Sequence, residues 1–199
     1  GRREADERNR FALPSGVSMP NLLPADFEGE IPSYALFTAW DKTISWRDLE
    51  WLAGITQLPV VVKGILSPQD ALLAVEHGAK AIVVSNHGGR QLDSAVASLD
   101  ALPAVAAAAG DRAEILLDGG IRRGTDVLKA LALGARAVMT GRPVLFALSA
   151  DGEEGVVRAL DLLRQELITD MILCGVQDVT AIPRGLAVPD GPRLPEAPV

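Results

Sequence analysis

Gly78-Ala79-Lys80-Ala81-Ile82-Val83 and Gly134-Ala135-Arg136-Ala137-Val138-Met139 repeat one device: a glycine that stops a helix, a basic hinge and an apolar strand. The interval between the two fits a pair of βα units of roughly 28 residues each. Strands alternating with helices imply a parallel sheet with right-handed crossovers. The first copy opens a run, Ala81-Ile82-Val83-Val84, with no polar alternation, the habit of a strand covered on both faces.

The same pattern extends over four units. Strands are expected at 59–63, 81–85, 114–118 and 136–140. Ser45 and Asp48 resemble a capping box, followed by Trp46, Leu49, Leu52 and Ile55 at helical spacing. Ser67-Pro68-Gln69-Asp70 combines an N-cap, a proline at the first helical position and an acid in the first turn. Further helices are expected near 99–109, 125–133 and 152–173, the last with Val156, Leu160, Leu163 and Leu167 on one face, and a short one at 177–182. Every strand ends in polar or special residues: Lys63-Gly64, Ser85-Asn86-His87, Asp118-Gly119-Gly120 and Thr140-Gly141-Arg142. A (β/α)₈ barrel distributes chemistry over its strand ends in this way, whereas a doubly wound sheet confines it to the switch point. The α/β fold expected is therefore a (β/α)₈ TIM barrel, of which the chain supplies about the last four βα units.

Residues 45–188 form that half-barrel in this reading. Residues 1–44 hold Pro14, Pro20, Pro24 and Pro32 without a clean period and are expected to be an active-site loop region following a missing strand. Residues 189–199, rich in proline, are expected to be a disordered tail. The chain begins without Met and reads as a piece of something longer, so the N-terminal half of the barrel is expected as a partner.

A net charge of −7 argues against nucleic acid. No apolar run approaches the ~20 residues of a transmembrane segment. One cysteine, Cys174, excludes an internal disulfide and suits a reducing, cytoplasmic setting. No His, Cys or carboxylate group has metal spacing.

Asp118-Gly119-Gly120-Ile121-Arg122-Arg123-Gly124-Thr125 joins a strand to a helix start. Its glycines let backbone N–H groups approach an anion, and a helix N-terminus adds favourable field. Gly141-Arg142-Pro143 adds a cation at the next strand end, and together they match the phosphate site that many barrels build after strands seven and eight. Alone, the first turn is equally a tight βα connection. Lys63 either caps the barrel mouth as a solvated ammonium or stabilises charge on a bound molecule. His87 with Arg90 reads as a base beside a carboxylate clamp, or as a structural histidine bonded to a carbonyl. His77, before Gly78, reads as a helix-end cation.

Val62-Lys63-Gly64, the run Ser85-Asn86-His87-Gly88-Gly89-Arg90-Gln91-Leu92-Asp93, the turn Asp118 to Gly124 and Gly141-Arg142-Pro143 closely resemble the FMN-dependent α-hydroxy acid oxidases and dehydrogenases. That family includes glycolate oxidase, lactate oxidase and mandelate dehydrogenase. Gly1-Arg2-Arg3-Glu4 and Asn9-Arg10-Phe11 resemble it too, and the resemblance covers nearly all of residues 1–185. It implies oxidation of an L-2-hydroxy acid to a 2-oxo acid with FMN, which O₂ or another electron acceptor reoxidises, in a homo-oligomer. It implies His87 as the catalytic base and Arg90 and Arg3 as the substrate carboxylate clamp. Lys63 would sit near flavin N1 and O2, and Ser85 would bond the flavin. Arg122 and Arg142, with backbone N–H groups around Gly120 and Gly141, would hold the FMN phosphate, and Asp118 would line the same site. The family's two active-site tyrosines and the Asp that orients its base lie on earlier strands, and the one tyrosine here, Tyr34, matches neither. The chain by itself is therefore expected to be inactive. Two other readings stay open: an FMN barrel of another reaction type, such as an isomerase, and an inactive half-barrel that binds phosphate ligands.

Overall fold

The computed structural model describes residues 43–188, together with Arg8, Pro14 and Asp41. Arg3, nearly all of the loop region 1–44 and the tail 189–199 lie outside the described residues. The elements in order are α1 (Trp46–Ile55), β1 (Val61–Ile65), α2 (Pro68–Glu76), β2 (Ala81–Val84) and a 3₁₀ turn (His87–Gly89). Next come α3 (Ser98–Ala109), β3 (Glu114–Asp118), α4 (Gly124–Ala132), β4 (Ala137–Met139), α5 (Arg142–Leu173) and a second 3₁₀ turn (Val179–Ala181). All strand pairs are parallel and the spatial order is β1-β2-β3-β4. Sequential order without a switch point is the order of barrel strands. The chain forms four consecutive βα units of such a barrel, as its sequence pattern implies.

Helix ends explain the regularity. The Ser67 hydroxyl accepts the Asp70 N–H at 3.3 Å, with Pro68 in the first turn. Gly78 and Gly134, at φ +105° and +111°, close α2 and α4 in the left-handed conformation. The residue after each bonds back five positions: Ala79 N–H to the Ala74 carbonyl at 2.9 Å, Ala135 N–H to Ala130 at 3.0 Å. His77 caps α2, places Nδ1 2.8 Å from Glu50 Oε1 and stacks on Trp46 with ring centres 6.1 Å apart. It thus links α1 to α2.

The core lies between the sheet and its helices. Ile82 and Val84 of β2, Leu117 of β3, and Leu102 and Val105 of α3 are its largest fully buried apolar side chains. Trp46 and Leu49 of α1 and Leu163 and Leu167 of α5 pack against it. Leu102→Ala is expected to destabilise the fold by about 2–5 kcal/mol, because the cavity adds to the lost burial. A denaturant titration with an unchanged midpoint would contradict that.

One expectation is extended. The expected helix near 152–173 is present, but a helical stretch from Arg142, directly after β4, precedes it, and the two are separated by a break at Asp151 (φ −152°) and Gly152 (φ +55°, ψ −138°). Pro143 fits the first turn, where no intrahelical N–H is needed. Leu160 of the expected apolar face is 48% exposed. The segment 177–182 holds only a single 3₁₀ turn, nucleated by Asp178 accepting the Thr180 N–H at 2.8 Å.

Candidate active site

The strand ends converge on one group of side chains. Lys63 near the end of β1 places Nζ 2.9 Å from Asp118 Oδ2, at the end of β3, and donates to Ser85 Oγ at 3.1 Å, just past β2. Three neighbouring strands are thereby tied through one ammonium. Asp118 Oδ1, by contrast, is buried with no hydrogen-bond partner among the described residues. A buried carboxylate oxygen left in that condition calls for a donor.

Ser85 is fully buried and also accepts the backbone N–H of His87 at 3.0 Å. Its hydroxyl therefore serves the turn above it, and Ser85 does not line the cleft that the other site residues share. The turn itself is tightly built. His87, Gly88 and Gly89 have φ of +58°, +69° and +70°, an uncommon run for a sequence containing a histidine. Asn86 sustains it: Oδ1 accepts the Gly89 N–H at 3.1 Å, Nδ2 donates to the Val96 carbonyl at 3.3 Å, and its own N–H goes to buried Ser98 Oγ at 3.0 Å. Across the cleft, Arg142 Nη2 donates to the Gly88 carbonyl at 3.2 Å. His87 is thus held by backbone on both sides.

A cleft of about 960 Å³ opens above these strand ends. It brings together His87, Arg90, Lys63, Asp118, Gly120, Arg122, Gly141 and Arg142, which is every candidate among the described residues except buried Ser85. Four cations and one carboxylate line it, in a chain whose net charge is −7. Such a concentration in a concave surface attracts an anion. Met139, Leu145 and Phe146 give it an apolar wall. Loss of hydration and then the neighbouring Lys63 charge hold the His87 imidazole below the usual histidine range, with Asp118 opposing. A neutral imidazole at neutral pH is a competent base.

The anion-binding parts differ from the sequence expectation in one respect. The N-terminus of α4 is filled by the protein's own carboxylates. Asp126 Oδ2 accepts the N–H groups of Arg122 and Arg123, both at 3.0 Å, and Glu166 from α5 accepts that of Gly124 at 2.9 Å. The Gly124 N–H first, and then Arg123, hold Glu166 below the ordinary glutamate range. The groups still facing the cleft are the backbone of Gly119 and Gly120, at φ +92° and +80°, and the Gly141-Arg142 start of α5. Among the described residues no cluster of His, Cys, Asp and Glu has the arrangement of a metal site, and no helix is long and apolar enough to cross a membrane.

Sequence reasoning placed Gly64 and Asn86 at strand ends without giving either a role, and missed the staples Ser98 and Glu166; Gly64 faces His87. Gly64 carries a legible signal, a glycine inside a strand. Glu166 carries none, because its partner lies 42 residues away.

The chain is similar to known proteins over nearly all of its length. The chain is 51% identical over 189 residues to an L-lactate oxidase of Nostoc sp., covering 92% of this chain and 52% of that protein. It is 47% identical over 201 residues to glycolate oxidase 1 of Oryza sativa subsp. indica, covering 98% and 54%. Among solved structures, a mandelate oxidase variant with a C4a-OH-FMN adduct superposes with a TM-score of 0.76 at 47% identity, over 92% of this chain and 51% of that one. The chain spans about half the length of the curated relatives it matches. The model of the family described as FMN-dependent dehydrogenase matches residues 1–188, and the chain belongs to that family.

Proposed function

We propose that this chain is the His-bearing, phosphate-holding part of an FMN-dependent enzyme that oxidises a 2-hydroxy acid to the 2-oxo acid. The observation that carries the proposal is the single cleft in which Lys63, Arg90, Arg122 and Arg142 surround His87.

The residues present fit FMN. The phosphate dianion suits Arg142, Arg122 and the glycine backbone at 119–120 and 141. The unpaired Asp118 Oδ1 suits a hydroxyl donor such as a ribityl chain provides. When bound, FMN supplies acceptance of two electrons and a hydrogen from the CH–OH carbon. Arg90 pairs with the substrate carboxylate in planar, bidentate fashion. An imidazole nitrogen of His87 takes the proton that the substrate releases as its carbonyl forms, and Lys63 supplies positive charge fixed by Asp118 and Ser85. The relatives named as lactate, glycolate and mandelate oxidases favour a 2-hydroxy acid, with O₂ or another electron acceptor closing the cycle.

Product analysis tests the proposal. The FMN-loaded full-length protein that contains this chain is expected to form one 2-oxo acid per two electrons delivered to the acceptor. A product at the substrate's own oxidation state would indicate an isomerase instead. Arg142→Leu is expected to raise the FMN dissociation constant about 10- to 100-fold, the worth of a charge-assisted hydrogen bond. Fluorescence titration of FMN into apoprotein reads it directly. An unchanged dissociation constant would remove Arg142 from the phosphate site.

A further inference from the structure

Gly64 is the one residue of β1 that the ladder skips. Lys63 pairs with Val83 and Ile65 with Val84, so Gly64 is an extra residue, a bulge, with φ of +108°. A bulge next to a reactive side chain bends the strand and re-aims that side chain. Here it lies between Lys63, whose ammonium reaches Asp118 and Ser85, and the turn that carries His87. A Cβ on Gly64 would stand 2.6 Å from His87 Cε1, closer than side chains approach one another, and 3.5 Å from each ring nitrogen. The ring therefore turns its Cε1 edge towards the Gly64 backbone and occupies the space that any side chain there would fill. The positive φ of the bulge already favours glycine, and the imidazole adds a separate steric demand for the missing side chain.

We propose that Gly64 is a positioning residue for His87, its missing side chain being the floor on which the imidazole rests beside Lys63. The inference rests on His87 being the base, and adds to that reading a second requirement at a residue to which no role has been assigned. It adds a second reason, beside the positive φ of the bulge, for a glycine within β1, where glycine weakens the strand.

The test is a double-mutant cycle on the FMN-saturated full-length protein: wild type, Gly64→Ala, His87→Ala and the double variant. Backbone strain at φ +108° is common to both alanine-64 proteins, so the cycle isolates the contact with the ring. The loss of Tm caused by Gly64→Ala is expected to shrink by at least half when His87 is already alanine. Equal losses in the two backgrounds would overturn the proposal. Should Gly64→Ala fail to fold, the double variant is expected to fold, and its failure too would overturn the proposal. The second readout is kinetic. Gly64→Ala with FMN bound is expected to slow flavin reduction at least tenfold and to move the acid limb of the pH–rate profile upward, because a displaced ring leaves the Lys63 charge. An unchanged rate and limb would overturn it. Fast reduction retained in His87→Ala would overturn the base assignment itself, whereas equal Tm losses overturn only the part given to Gly64.

Discussion

His87→Ala is expected to leave FMN bound and to slow flavin reduction by a 2-hydroxy acid by at least about 10²- to 10⁴-fold, the range lost when a positioned base is removed. Binding survives because the phosphate-facing groups, Arg142, Gly120 and Gly141, are on other strand ends and do not depend on the imidazole. The turn survives because Asn86 and Ser98 hold its backbone, and because Arg142 bonds the Gly88 carbonyl rather than the ring. The rate falls because His87 is the one histidine in the cleft and the group there poised to be neutral at working pH. The pH profile carries the same information. The imidazole is held below the usual histidine range, so the neutral base persists to lower pH and the acid limb of kcat/KM lies below about 6.5. Rapid-mixing absorbance under anaerobic conditions measures both. A variant that reduces flavin as fast as the parent would remove His87 from the mechanism.

Lys63→Met is the second large effect, expected at about 10²- to 10³-fold in the rate of flavin reduction, the scale of removing one preorganised charge from a reacting site. Methionine keeps the length of the side chain and deletes the charge. Asp118, with one oxygen already unpartnered, then loses its ion pair at the other. Its carboxylate becomes a largely buried, uncompensated charge, so a lower Tm accompanies the kinetic loss. The sign of the pH effect comes from the same pair. Lys63 lowers the His87 pKa and Asp118 raises it, so removing the cation leaves the carboxylate unopposed. The imidazole pKa rises, the base is protonated at higher pH, and the acid limb moves upward. A limb that stays in place, or moves down, would contradict the electrostatic coupling of Lys63 to His87.

Much of the fold was legible because its signals are local. Gly78 and Gly134 end helices through backbone conformations that need no tertiary partner, and Ser67-Pro68 begins one within a single turn. The four strand ends carry polar residues whose convergence results from parallel order alone, which is why the cleft contains eight of the nine candidate site residues that the structure describes. The features that escaped depend on contacts distant in the chain. Glu166 fills the α4 N-terminus from α5 and so withdraws those N–H groups from any ligand, which no local pattern announces. Ser85 points under the turn because Lys63 and the His87 N–H both donate to it. The helical stretch from Arg142 to the break at Asp151 was hidden by Gly141 and Pro143, two residues that read as a loop and serve equally well as a helix entrance.

One measurement tests the central claim most directly: anaerobic addition of L-lactate, glycolate or (S)-mandelate to the FMN-loaded full-length protein that contains this chain, followed by visible absorbance. The cleft around His87, Lys63, Arg90 and Arg142 predicts bleaching of the bound flavin by at least one of these acids, with one equivalent of 2-oxo acid formed per flavin. Flavin that stays oxidised with all three, in protein shown to hold FMN, would contradict the assignment of this cleft to 2-hydroxy acid oxidation.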